Sequence, residues 1–126
     1  MSTVEITHEN FKATISKPGI VVLDWWATWC GPCKAFAPVF EAASKVHTDL
    51  VFGKIDTDEQ QELARAFRIR SIPTLMVFRD GIPVFAQPGA LPKAALEEVI
   101  QKVRDLDMVE VKKKIEAAAK PKVATA

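Results

Sequence analysis

The sequence predicts an α/β domain with a mixed sheet and helices on both faces. Three observations carry this. Short apolar runs of strand length alternate with stretches whose apolar residues recur every three or four positions. One run, Ile20-Val21-Val22-Leu23-Asp24-Trp25-Trp26, is nearly continuous, as in a strand covered on both faces. Asp80-Gly81 separates two β-type runs, a hairpin signal that makes part of the sheet antiparallel.

Taken in order, Val4–Ile6 is a short strand and Thr7-His8-Glu9-Asn10 starts a helix carrying Phe11, Ala13 and Ile15, closed by Pro18-Gly19. The apolar run Ile20–Trp26 follows. From Cys30 the period turns helical, with Phe36, Val39, Phe40, Ala43 and Val46 on one stripe and Pro38 predicting a kink. Leu50–Ile55 reads as a strand, and Asp56-Thr57-Asp58-Glu59 as an acidic helix start ahead of Leu63, Ala64 and Phe67. Thr74–Phe78 and Val84–Ala86 form the hairpin around Arg79-Asp80-Gly81. Pro92 opens a helix with the stripe Leu96, Val99, Ile100 and Val103. Continuing that phase would bury Asp107 and Glu110, so either the chain bends near Leu106–Met108 or a separate helix follows, with the stripe Met108, Val111, Ile115 and Ala118. Lys112, Lys113 and Lys114 then face solvent, and Pro121 to Ala126 should fray. Residues 1–106 are expected to form the domain and residues 107–126 a helical extension.

The chain has 126 residues, 48% apolar and 26% charged, the composition of an ordinary globular domain. Its net charge of +1 argues against nucleic acid or an anionic membrane as the main partner. The first twenty residues carry interspersed charge and lack the apolar run of a secretory signal, so a cytoplasmic location is expected.

The two cysteines, Cys30 and Cys33, lie three positions apart in Trp29-Cys30-Gly31-Pro32-Cys33. As a staple the pair is poor: closing so short a loop is worth about 2 kcal/mol, against about 3 kcal/mol for fifteen residues. Close spacing instead favours intramolecular exchange, one thiol attacking a disulfide while its neighbour resolves the intermediate. Cys30 falls where strand gives way to helix, among free N–H groups and the positive end of the helix dipole, which favour thiolate; Lys34 adds weakly to that field. Gly31 lets the backbone turn and clears a path for substrate, while Pro32 stiffens the first helical turn at no hydrogen-bond cost. Helical spacing leaves Cβ atoms about 5–6 Å apart, long for a disulfide at about 3.5–4.5 Å, and a non-helical cap position for Cys30 closes that gap. Trp29 shields the site while leaving Cys30 exposed and Cys33 recessed; a core position at a strand end is compatible with that role.

Asp24 interrupts the central strand and shares face parity with Ile20, Val22 and Trp26. Burial there should raise its pKa and let it take a proton from Cys33; the alternative is a solvated carboxylate at a strand end. Ile72-Pro73-Thr74 puts proline at the first position of a strand. Were the Ile72–Pro73 bond cis, the turn would offer backbone groups to an extended substrate, but only about 5–6% of X–Pro bonds are cis. His8 and His47 lack the paired spacing of a zinc finger, read as solvated residues near helix ends, and no metal is expected.

These residues together resemble the thioredoxin family. The resemblance rests on Trp29-Cys30-Gly31-Pro32-Cys33, Asp24-Trp25-Trp26-Ala27, Pro38, Lys54-Ile55-Asp56-Thr57-Asp58, Arg70-Ser71-Ile72-Pro73-Thr74 and Pro88-Gly89-Ala90-Leu91, in family order across about residues 4–106. It implies the thioredoxin fold, a central mixed five-stranded sheet flanked by four helices. It implies Cys30 as nucleophile, Cys33 as resolving thiol and Asp24 as buried proton acceptor, with Lys54 beside it and Trp26 in support. Pro73 matches a cis-proline facing the disulfide. Trp29, Gly31, Pro32, Ile72, Pro73, Thr74, Gly89 and Ala90 correspond to the substrate-docking surface. Three features depart from the family pattern: Trp25 for a smaller aromatic, Pro88 before the docking-loop glycine, and the extension after Leu106.

The resemblance further implies reduction of protein disulfides by a monomer without a bound cofactor, recycled with NADPH electrons by a separate thioredoxin reductase. The Gly-Pro insert resembles the reducing members, since Pro32 cannot stabilise a thiolate as a histidine would. The competing expectation is a binding or chaperone module acting through its apolar face or C-terminal extension.

Overall fold

The computed structural model describes residues 2–119. Five strands, β1 (Thr3–Glu5), β2 (Ile20–Trp26), β3 (Val51–Asp56), β4 (Thr74–Arg79) and β5 (Ile82–Pro88), form one sheet in the order β1-β3-β2-β4-β5. β1, β3 and β2 run parallel, while β4 is antiparallel to both β2 and β5. Central β2 is buried on both faces along nearly its whole length, as its apolar run requires.

Alternation along β2 divides the core. Val22 meets Phe36 and Phe40 of α2 (Gly31–Val46) and Leu96 and Ile100 of α4 (Lys93–Arg104). Val21, Leu23 and Trp25 face the other way, toward Phe11 of α1 (Phe11–Ile15) and Leu63 of α3 (Gln61–Ala66). Pro38 lies inside α2, as the sequence indicated. Val46 does not join the core stripe: it is 70% exposed, because α2 ends there. The β4–β5 turn has Asp80 at φ 53° and Gly81 at φ 80°, the left-handed pair that a two-residue hairpin needs. Edge strand β5 carries Pro83 and Pro88, tolerated where a missing N–H leaves no ladder bond broken.

The start of α3 differs from expectation, while the break after α4 takes the second of the two forms expected. α3 begins at Gln61, after the acidic segment, because Asp56 Oδ1 accepts from the N–H groups of Asp58 (2.9 Å) and Glu59 (3.3 Å) and holds a turn instead. After α4 the chain breaks and restarts as a separate helix, α5 (Met108–Ala119), with Asp107 Oδ1 accepting from Val109 N–H (3.0 Å) and Glu110 N–H (3.3 Å). Met108 and Val111 are half-buried, Lys112, Lys113 and Lys114 face solvent, and Ile115 and Ala118 are exposed, so only the start of the predicted stripe meets the domain. Arg79 Nη1 donates to the carbonyl oxygens of Val103 (2.8 Å), Arg104 (3.2 Å) and Leu106 (2.9 Å), satisfying the orphan acceptors at the end of α4. The expected fraying of Pro121 to Ala126 falls outside the described residues.

Candidate active site

β2 ends at Trp26, and Ala27, Thr28 and Trp29 lead to Cys30, which caps α2 in an extended conformation (φ −88°, ψ 113°). Pro32 occupies the first turn of α2, where no N–H is needed. The cap position brings the two Cα atoms to 5.2 Å, and Cys30 and Cys33 form a disulfide. Cys33 N–H donates to Cys30 Sγ at 3.2 Å, so the helix N-terminus turns an orphan donor onto that sulfur.

Cys30 is 4% exposed and Cys33 3%, which corrects the expectation of an open first cysteine. Ala27, Trp26 and Ile72 pack around the pair. Trp29, 68% exposed, and exposed Gly31 and Pro32 mark the solvent side. Trp29 is therefore a surface residue, held by a bond from its Nε1–H to Asp58 Oδ2 at 2.8 Å. Asp58 was legible only as part of an acidic stretch; nothing local to it indicates Trp29, 29 positions away, as its partner.

Opposite the sulfurs the Ile72–Pro73 bond is cis, as the family resemblance implied. The Ile72 carbonyl oxygen lies 3.6 Å from Cys30 Sγ. Ile72 is half-buried, while Pro73 and Thr74 are buried, Thr74 Oγ1 donating to Ser71 O at 2.6 Å. Gly89, at φ 107°, donates its N–H to Pro73 O at 2.8 Å and so seats the loop after β5 against Pro73; Ala90 follows it, exposed. Thr74 pairs with Pro88 across β4 and β5.

Asp24 is fully buried, and neither carboxylate oxygen has a hydrogen-bond partner among the described residues. Burial pushes its pKa up to about 7, with Lys54, its register partner on β3, pulling weakly the other way. Lys54 Nζ sits 4.9 Å from the centroid of the half-buried Trp26 ring, a cation–π contact. Asp24 alternates onto the face of β2 that packs against α2, the helix carrying Cys33. Trp25 faces the other way, fully buried, with its Nε1–H unpartnered among the described residues.

The histidines separate. His8 is exposed, whereas His47, expected in solvent, is half-buried between Glu97 and Arg104. Among the described residues no group of three or more His, Cys, Asp or Glu side chains is placed to hold a metal ion, and no helix is long and apolar enough to cross a membrane.

The thioredoxin family profile matches residues 2–102. A Streptomyces coelicolor protein provisionally named thioredoxin 2 is 59% identical over 114 residues, spanning 90% of this chain and 85% of its own. A match of that length must run beyond Leu106 into α5. A bifunctional thioredoxin reductase/thioredoxin of Mycobacterium leprae is 47% identical over 98 residues, 75% of this chain and 21% of that protein. Among solved structures, a mutant thioredoxin from Halobacterium salinarum superposes with a TM-score of 0.76 at 34% identity, covering 83% of this chain and 93% of that one. With a disulfide at a helix cap and these relatives, the chain belongs to the thioredoxin family and is a thiol–disulfide oxidoreductase.

Proposed function

We propose that the chain reduces protein disulfides, with Cys30 opening the substrate bond and Cys33 completing the exchange. The observation that carries this is the position of Cys30 Sγ at the cap of α2, accepting the Cys33 N–H at 3.2 Å. In the reduced protein that donor and the positive helix end stabilise a Cys30 thiolate. The thiolate attacks one sulfur of a substrate disulfide, and the other leaves as a thiolate that takes a proton. Cys33 then gives its proton to Asp24 and attacks Cys30 Sγ, releasing the second substrate sulfur. Two electrons pass to the substrate and the Cys30–Cys33 disulfide remains.

Burial pushes the Asp24 pKa up to about 7, which suits a group that takes and returns a proton near neutrality. Lys54 and Trp26 hold the surroundings of that carboxylate. Substrate docks on Trp29, Gly31, Pro32, Ile72, Pro73, Thr74, Gly89 and Ala90. The Pro73 carbonyl already accepts from Gly89, so the Ile72 carbonyl beside the sulfur is the free acceptor for an extended substrate. Pro32 supplies no proton donor between the cysteines, which supports a reducing direction.

A separate NADPH-dependent thioredoxin reductase regenerates the dithiol, so the chain itself holds no cofactor; the relative that joins both names in one polypeptide supports that pairing. The protein works as a cytoplasmic monomer, independently of nucleic acid and membrane, with residues 1–106 as the catalytic domain and 107–126 as an appendage. An NADPH-coupled assay with a matched reductase tests the roles. Cys30→Ser should abolish turnover, Cys33→Ser should accumulate mixed disulfides, and Asp24→Asn should slow the resolving step. Full turnover by Cys30→Ser would reverse the assignment, and a kinetically silent Asp24→Asn between about pH 6 and 9 would remove Asp24 from the mechanism.

A further inference from the structure

The connection from α3 to β4 ends its helix with an unusual residue. Arg68 N–H donates to Arg65 O at 3.0 Å and Ile69 N–H to Ala64 O at 2.9 Å, the paired bonds of a Schellman closure. That closure needs one left-handed residue, and here it is Arg68, at φ 55°. Glycine adopts this conformation freely and a long side chain adopts it at a cost. Arg70 follows two positions later. Both arginines are exposed, and both line a groove of about 240 Å³ together with Ser71, Thr74, Gln87 and Pro88. Among the described residues neither forms an ion pair; the pairs present are His47–Glu97, Lys102–Glu98 and Arg104–Asp49.

The groove's lining adjoins in sequence the segment that faces the sulfur. Ser71 directly precedes Ile72, whose carbonyl oxygen lies 3.6 Å from Cys30 Sγ, and Pro88 pairs with Thr74. At the Trp29 edge of the site, Trp29 is bonded to Asp58, which shares a turn with Asp56 and Glu59. Charge thus changes sign across the site, negative at Trp29 and positive at the Pro73–Pro88 side.

We propose that Arg68 and Arg70 form an acid-selective subsite, which binds a carboxylate side chain of the substrate protein flanking the disulfide to be reduced. This rests on the disulfide-exchange reading above. Two guanidinium groups with no ion-pair partner among the described residues suit carboxylate recognition, each offering a fork of donors. The opposite pole at Asp58 repels the same acidic segment and so fixes which side of the substrate it lies on. Because the arginines are exposed, the effect is modest, sits in KM, and weakens with salt.

Three peptides with an identical disulfide loop and Glu-Glu, Gln-Gln or Lys-Lys flanks test this in the reductase-coupled assay. At low salt the acidic peptide should exceed the amide peptide in kcat/KM by about three- to tenfold, through KM, and the basic peptide should fall below both. The acid-to-amide ratio should approach one at about 0.5 M salt. It should do the same in the double variant Arg68→Gly/Arg70→Gln, in which glycine keeps the helix closure intact. Arg65→Gln, outside the groove, should leave the ratio as it was. Equal turnover of the three peptides by the unaltered chain, or an acid preference that survives the double variant, overturns the subsite. Failure of the unaltered chain to reduce any of them overturns the disulfide-exchange reading itself, and the subsite with it.

Discussion

At its N-terminus α2 offers a sulfur, an N–H donor and the exposed residues Gly31 and Pro32, whereas at its C-terminus polar side chains bind one another. There His47 Nε2–H donates to Glu97 Oε1 at 2.7 Å, and His47 Nδ1 accepts from Arg104 Nη2 at 3.1 Å. Arg104 also grips Asp49 through two bonds of 2.8 and 3.1 Å, which hold the Asp49 carboxyl below its usual range. Nearby, Arg79 closes the end of α4 on three carbonyl oxygens. At the far end these polar side chains are paired, while the reactive end has a buried carboxylate with no hydrogen-bond partner among the described residues. This fold is anchored away from its chemistry, and the site is where stability is given up.

Substitutions at the two ends should therefore move stability in opposite directions. The largest effect is expected from Asp24→Asn. A carboxyl whose pKa rises from 3.8 unfolded to about 7 folded binds more protons in the native state across that interval. Its contribution is fully present below about pH 4 and is lost as pH rises through about 7, on the order of 2–4 kcal/mol. Asp24→Asn should recover that amount at pH 8 and nothing at pH 3.5, read from urea unfolding at the two pH values. Equal gains at both would locate the effect in packing and not in charge.

Arg79→Ala comes next, with the opposite sign. Removing a donor shared by three carbonyl oxygens should cost about 1.5–3 kcal/mol in the same urea experiment, at unchanged disulfide-reduction rates. A matching loss of turnover would mean that the two ends are coupled. Arg104→Gln should have the smallest effect, a slight fall in Tm that disappears at high salt because Asp49 is exposed.

What the sequence revealed and what it concealed divide along the same line. β2 is legible along its length, because burial on both faces leaves a continuous apolar run. The hairpin is legible from Asp80-Gly81, and the site from two cysteines spaced for a helix cap. Asp24 stands out because a carboxylate inside such a run has no bland explanation once the strand is central. The contacts of His47, Arg79 and Trp29 were not legible: each partner lies 24 or more positions away, and polar side chains carry no periodicity that names a distant partner. The start of α3 was misplaced for a local reason. Asp56 can cap a helix or close a turn with the same oxygen, and here it does the second. Val46 shows the limit of periodic reading, since a stripe continues in phase after the neighbour it packed against has ended.

The prolines of β5 have a consequence for the company this protein keeps. Opening a disulfide frees the chain it had constrained and can leave backbone unpaired. An open sheet edge would invite such chains to zip alongside it and grow into aggregates. Pro83 and Pro88 stand near the two ends of that edge and remove a donor from each, so no client strand can add along its full length. Clients are turned away from the flank of the sheet, and on the proposed mechanism only the short backbone stretch beside the sulfurs is left to them.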